Sequence, residues 1–149
     1  MSPNASRFLA FDLLATLVAV VDLEGRVRFA NAALEDALGA SRRSIHGSRF
    51  ALAFTDPRLL EGALQGAGRN DFAVLRYDAM LQRAVGDPVP VHVVVAPSDR
   101  HGEVIVEMLQ QEQQARQERE ERLMDQARAN KELIRNLAHE IKNPLGGIR

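Results

Sequence analysis

Residues 16–39 read TLVAVVDLEGRVRFANAALEDALG, and this stretch decides the fold. Thr16 to Val21 is almost wholly apolar and rich in β-branched residues, the composition of a buried strand. It ends at Asp22-Leu23-Glu24-Gly25, an acidic turn closed by glycine. Arg26-Val27-Arg28-Phe29 then alternates polar and apolar, as a strand with one face in a core does. The two runs predict a β-hairpin. Asn31 follows, and its short side chain suits the N-cap of a helix. Leu34, Ala37 and Leu38 recur at helical spacing until Gly39 stops it.

Working outward, Phe8 to Val21 is a single apolar run, predicted as a short amphipathic helix leading into the first strand. Residues 41–55 suggest short helical turns and loops. Asp56-Pro57 is a helix start: aspartate accepts from orphan amides, and proline fits the first helical position. The helix carries Leu59, Leu60, Ala63 and Leu64 and ends around Gly66 to Gly68. Three strands are predicted after it. Phe72 to Leu81 is bounded by the turn near Gly86-Asp87-Pro88. Val89 to Val95 puts four valines on one face, and Glu103 to Leu109 follows the turn Pro97 to Gly102. Such an order makes an α+β domain, an antiparallel sheet with helices on one side.

The totals exclude several classes. The 149 residues contain no Cys, so disulfide scaffolds, Cys-based zinc sites, iron–sulfur clusters and thiol nucleophiles are ruled out. A net charge of −1 provides no field to hold nucleic acid or a membrane surface. The Phe8–Val21 run has 14 residues and contains Asp12. That is short of the roughly 20 apolar residues of a spanning helix, and the run lacks the cationic start of a signal peptide. A cytoplasmic location with no membrane and no nucleic-acid partner is expected. The glycines at 62, 66 and 68 follow a helix and lack a Lys-Ser/Thr ending, so they are not a phosphate loop. His46, His92 and His101 are scattered without ligand spacing, and no metal site is expected.

The element order, the length, and the pattern from Val21-Asp22 through Asn31-Ala32-Ala33 resemble a PAS domain over about residues 8–109. That resemblance implies a five-stranded antiparallel sheet with short helices enclosing a small pocket.

A different regime follows. From Glu103 to Asn143 there is neither Gly nor Pro, and all seven aromatics lie between Phe8 and Tyr77. Residues 110–122, QQEQQARQEREER, are strong helix formers without an apolar stripe. Then Leu123, Ala127, Asn130, Ile134, Leu137 and Ile141 recur at spacings of 4, 3, 4, 3 and 4. This is a heptad seam with Asn130 as a register-fixing polar position, and it predicts a coiled-coil signalling helix paired with a second copy of the chain. In that frame His139 falls at the outward position f.

Residues 137–149 read LAHEIKNPLGGIR. This resembles the phosphoacceptor box of sensor histidine kinases, and the ending Gly146-Gly147-Ile148-Arg149 is similar to the NtrB-type nitrogen-regulation kinases. The resemblance implies that His139 is the phosphoacceptor and Glu140 the base that orients its ring. Asn143, four residues on and on the same helical face, then serves dephosphorylation of the partner. Pro144 bends the helix. An outward position suits a histidine that must meet first an ATP-bearing domain and then a partner's aspartate, and a neutral ring nitrogen is available near its reference pKa of about 6.5. The organisation expected is a PAS sensor domain at 1–109, a coiled-coil linker at 110–130 and the start of a dimerisation and histidine-phosphotransfer domain at 131–149. The implied partners are a homodimer mate, an NtrC-type response regulator and a PII-type signal protein. No cofactor is expected in these residues, because ATP and Mg belong to a catalytic domain beyond Arg149; without it the fragment should be inactive alone. Two other functions fit the same residues: a small-ligand-binding PAS module, or a PAS/coiled-coil dimeriser without catalysis.

Overall fold

The structure is a computed structural model that describes residues 7–147, with the side chains of 112–117 and 138–147 outside the description. The chain divides into two units at Glu112/Gln113.

The first unit is built on a five-stranded antiparallel sheet. Its strands are β1 (Leu17–Asp22), β2 (Val27–Ala30), β3 (Leu75–Leu81), β4 (Val89–Pro97) and β5 (Glu103–Gln110), in the order β2-β1-β5-β4-β3. Between β2 and β3 lie the helices α1 (Ala32–Leu38), α2 (Arg42–Ile45) and α3 (Arg58–Gly68), with a 3-10 turn at Phe50–Ala53. The predicted hairpin, helix order and three closing strands are all present.

The alternation in the sequence becomes two sheet faces. Leu17, Ala19 and Val21 of β1 point inward, opposite Met108, Val106 and Val104 of β5. Val91, Val93 and Val95 of β4 lie on the same face, fully buried. Leu34 and Leu38 of α1, Ile45 of α2 and Leu60, Ala63 and Leu64 of α3 pack onto them, together with Phe50 and Phe54. Each fully buried Val, Leu, Ile, Met or Phe side chain among them stabilises the fold by about 1.5–3 kcal/mol relative to exposure. The helices therefore gather on one side of the sheet.

The N-terminal apolar run resolves differently from expectation. Leu9–Leu13 form one 3-10 turn none of whose residues is fully buried, because Phe8 and Phe11 are the anchors. With Val20, Phe29 and Ile105 they make a second small cluster, separate from the main core. The Phe8 and Phe29 ring centroids are 5.6 Å apart. β3 also begins at Leu75 rather than Phe72. Asn70 takes a left-handed φ of 56° after α3, which turns the chain back on the helix. The Phe72 ring then lies so close to Gly66 that a Cβ there would sit 2.9 Å from Phe72 Cε1. Packing on α3 occupies residues that the alternation alone gave to the strand.

The second unit is α4 (Gln111–Gly147), a 37-residue helix whose first two residues belong to the first unit.

Candidate functional site

α4 carries the residues singled out for phosphotransfer. Its backbone is helical through His139, Glu140, Asn143 and Pro144. The side chains of these four lie outside the described residues, as does that of Ile141. Of the heptad seam, the residues from Leu123 to Leu137 are described and exposed, with Leu123, Ile134 and Leu137 at 64%, 66% and 47%. Leu133 and Met124 beside them are exposed as well. A single copy of this helix leaves an apolar stripe in water, the condition that a partner helix would relieve.

In the first unit the residue with the most to do is Asn31. It is 0% exposed, and all four of its hydrogen-bonding positions are used. Its Oδ1 accepts from Leu34 N, capping α1, and from Val18 N on β1, both at 3.0 Å. Its Nδ2 donates to Phe11 O and Thr16 O, both at 2.9 Å. The carboxamide thus joins the N-terminal turn, β1 and α1. Asp12 reinforces the joint: its Oδ1 accepts from Ala32 N at 2.9 Å, and its carboxylate pairs with the Arg42 guanidinium. Arg42 also stacks over the Phe29 ring, 5.2 Å from the centroid. Sequence reading found the cap but not the other three bonds; the signal was Asp12, a charge inside an apolar run.

Tyr77 lies on β3, on the inner face opposite Val93. Its hydroxyl is buried and has no hydrogen-bond partner among the described residues. Burial pushes its phenol up to about 12, because the charged form loses its hydration. Tyr77 is the only tyrosine and there is no tryptophan, so the near-ultraviolet phenolate signal belongs to it alone. In the folded protein that signal is expected to titrate near 12 and not near 10.0. The raised value carries stability that is present below pH 10 and lost as pH rises toward 12.

The three histidines of the first unit do not converge. His46 ends α2 at the surface. His92 faces outward on β4, with Nδ1 2.9 Å from Asp78 Oδ1. His101, in the β4–β5 turn, lines a surface cleft of about 220 Å³ together with Phe8, Asp22, Arg28 and Glu103. The acids of that cleft are already engaged: Asp22 accepts from Arg28, and Glu103 accepts from Arg7 and Ser98.

The family model for the PAS fold matches residues 11–109. The chain belongs to the PAS family. Among curated proteins it is similar to the sensory histidine kinase/phosphatase NtrB of Proteus hauseri, 30% identical over 95% of this chain and 40% of that protein. The NtrB of Klebsiella oxytoca is likewise 30% identical, over 99% of this chain and 41% of that protein. The chain therefore spans about two fifths of the length of the relatives it matches, and the NtrB resemblance of residues 137–149 extends along nearly all of it. Among solved structures, the PAS domain of the HTR-like protein from Haloarcula marismortui superimposes with a TM-score of 0.59 at 18% identity. That match covers 70% of this chain and 95% of the other and supports the fold. Among the described residues no helix is long and apolar enough to cross a membrane.

Proposed function

We propose that this chain is the sensory and phosphoacceptor part of a two-component histidine kinase for nitrogen regulation, and that His139 accepts a phosphoryl group from ATP and passes it to an aspartate of an NtrC-type response regulator. The observation that carries this reading is the run LAHEIKNPLGGIR at 137–149, of which residues 137–147 lie on a helix that follows a PAS domain in the chain. Similarity to NtrB proteins along 95% of the chain supports it. Residues 1–109 act as the sensor, 110–130 as the coiled-coil linker, and 131–149 as the start of the dimerisation and phosphotransfer domain. ATP and Mg are held by a separate catalytic domain, a PII-type signal protein exerts control through regions outside this chain, and the protein works in the cytoplasm.

In the step itself, a lone pair on a neutral ring nitrogen of His139 forms the N–P bond as the P–O bond to ADP breaks. The proton on the other ring nitrogen passes to Glu140. Asn143 orients the water that later hydrolyses the phosphoaspartate of the regulator, and Pro144 bends the helix beyond the site. The test supplies an ATP-binding domain from an NtrB relative together with γ-labelled ATP. Alkali-stable, acid-labile label on this chain is the expected result; no label overturns the reading.

The seam implies a partner helix, most simply that of a second copy of the chain. In equilibrium sedimentation the intact chain is expected to run as a dimer, and Ile134→Asp to shift it to monomer while the helicity of the PAS unit persists. A monomeric wild-type chain at micromolar concentration would remove the dimer from the proposal.

A second reading, a ligand-sensing PAS module, is favoured by one observation, the buried and unpaired Tyr77 hydroxyl. A small molecule with an acceptor at that hydroxyl would pair it. An unpaired buried hydroxyl costs about 1–3 kcal/mol, so Tyr77→Phe separates the cases by thermal melting. A higher Tm argues against a bound acceptor, whereas a lower Tm, with loss of a retained small molecule in native mass spectrometry, supports one.

A further inference from the structure

The surface cleft beside Phe8 has a volume of about 220 Å³ and is lined by Asp22, Arg28, His101, Gly102 and Glu103 among others. A β-bulge aims one of these side chains. β1 and β2 pair as Val20 with Phe29 and Val21 with Val27, so Arg28 is an extra residue with no partner across the ladder. Val27 belongs to the main core and Phe29 to the small cluster around Phe8. Such a bulge breaks the alternation of a strand and re-aims a side chain. It sets Arg28 in the wall of the cleft, 60% exposed, with Nη2 2.8 Å from Asp22 Oδ2. The acceptors of the cleft are spent. Asp22 Oδ1 accepts from Glu24 N and Arg26 N, and Oδ2 from Arg28. Glu103 accepts from Arg7 at both oxygens and from Ser98 at Oε1. The donors are not spent. Arg28 gives Asp22 its single side-chain bond, which leaves Nε and Nη1 without an acceptor among the described residues. The His101 ring and the backbone amides of His101 and Gly102 likewise have no partner among the described residues. The formal charges balance, Arg7, Arg28 and Arg100 standing against Asp22, Asp99 and Glu103. Hydrogen-bonding capacity therefore decides what the cleft can take.

We infer that this cleft is a binding site for a small oxyanion, the carboxylate or phosphate group of a metabolite, held by Arg28 from the bulge and by His101 and Gly102 from the β4–β5 turn. A guanidinium presents parallel N–H groups that match a carboxylate or a phosphate. Amides that follow one another in a turn form the concave nest that anions occupy, and Gly102, at a φ of 80°, supplies the left-handed residue of such a turn. A cationic ligand would find both acids already engaged. Volume sets the size of the ligand. Pockets for drug-sized molecules span about 300–1,000 Å³, so 220 Å³ suits a smaller one. The Phe8 ring, with the Arg7 guanidinium over it at 4.7 Å, offers the carbon part of that ligand an apolar wall. The site involves neither Tyr77 nor α4, so it stands or falls independently of the role given to His139.

The test is an amide NMR titration of the intact, isotope-labelled chain with inorganic phosphate and, separately, with succinate, the ionic strength being held constant with sodium chloride. Saturable shifts confined to residues 28 and 100–103 are expected, with half-saturation in the millimolar range. Arg28→Gln should weaken that binding by at least about 10-fold, the loss of one charge-assisted hydrogen bond. Its fold should persist, because an ion pair of this exposure adds little stability. His101→Ala, in an exposed turn, should weaken binding by about 2- to 10-fold, the range of one neutral hydrogen bond. Arg83→Gln, on the exposed segment before β4 and outside the cleft, should bind as wild type does. The tighter of the two probes tells whether the group is a phosphate or a carboxylate. Shifts that grow without saturating, equal affinity in wild type, Arg28→Gln and His101→Ala, or an equal loss in Arg83→Gln would each overturn the site. Binding of a Glu-rich peptide when neither small anion binds would overturn it as well, in favour of a protein partner.

Discussion

Asn31→Asp is expected to lower the melting temperature of the PAS unit by more than about 10 °C, although aspartate and asparagine cap helices equally well. The cap survives the change, since a carboxylate oxygen can still accept from Leu34 N. The other side of the group does not survive. Nδ2 donates to Phe11 O and Thr16 O, and in the variant a negatively charged oxygen would face those two carbonyls at a site with no exposure. Leaving a buried charge without compensation costs on the order of 3–5 kcal/mol, against a total stability of about 5–15 kcal/mol for a domain. The introduced carboxyl should escape by holding its proton, so its folded-state pKa rises above its unfolded value. The sign follows: the variant regains stability below about pH 4 and loses it as pH rises, the reverse of an ordinary surface aspartate. Asn31→Ser, which keeps a cap but reaches neither carbonyl, should fall between wild type and Asn31→Asp. If Asp and Ser both melt within about a degree of wild type, Asn31 is only a cap, and the N-terminal turn, β1 and α1 are joined by something else.

The contrast between Asn31 as a cap and Asn31 as a joint shows what can be read from the order of residues. Features that depend on neighbours along the chain were legible. The valines at 89, 91, 93 and 95 announced a strand with one buried face, and all four are buried. Gly39 announced the end of α1 and takes a left-handed φ of 68°. Features that depend on distant partners were not. The pairing of β1 with β5 joins residues far apart in sequence, and alternation alone cannot choose between that neighbour and β3. Asp12 looked like an interruption until its acceptors met Ala32 N and Arg42. His92 looked like a surface histidine because Asp78 approaches it only across the sheet. Phe72 carries a strand-like residue at a strand-like position, yet Gly66 on α3 offers its ring a closer fit. The proposed phosphoacceptor box is the opposite case: its residues are contiguous, so its reading rests on the sequence alone.

That box supports the largest functional effect expected here. With an ATP-binding domain supplied in trans, His139→Gln should accept no label above background, because glutamine keeps polarity and helix propensity but has no nucleophilic ring nitrogen. Circular dichroism should show α4 intact, which separates loss of chemistry from loss of structure. Glu140→Gln should still accept phosphate, but more slowly by roughly 10²-fold, the lower end of what a positioned general base contributes. The proton on the other ring nitrogen would then have to leave to water. Asn143→Ala should divide the two directions of traffic. Label should enter His139 and reach a response regulator at near wild-type rate, whereas loss of label from the phosphorylated regulator should slow by at least about 10-fold, equivalent to one lost hydrogen bond to the attacking water of about 1.4 kcal/mol. Equal labelling of wild type and His139→Gln would remove His139 from its role. Equal regulator dephosphorylation in wild type and Asn143→Ala would leave Asn143 as an ordinary polar residue before a proline.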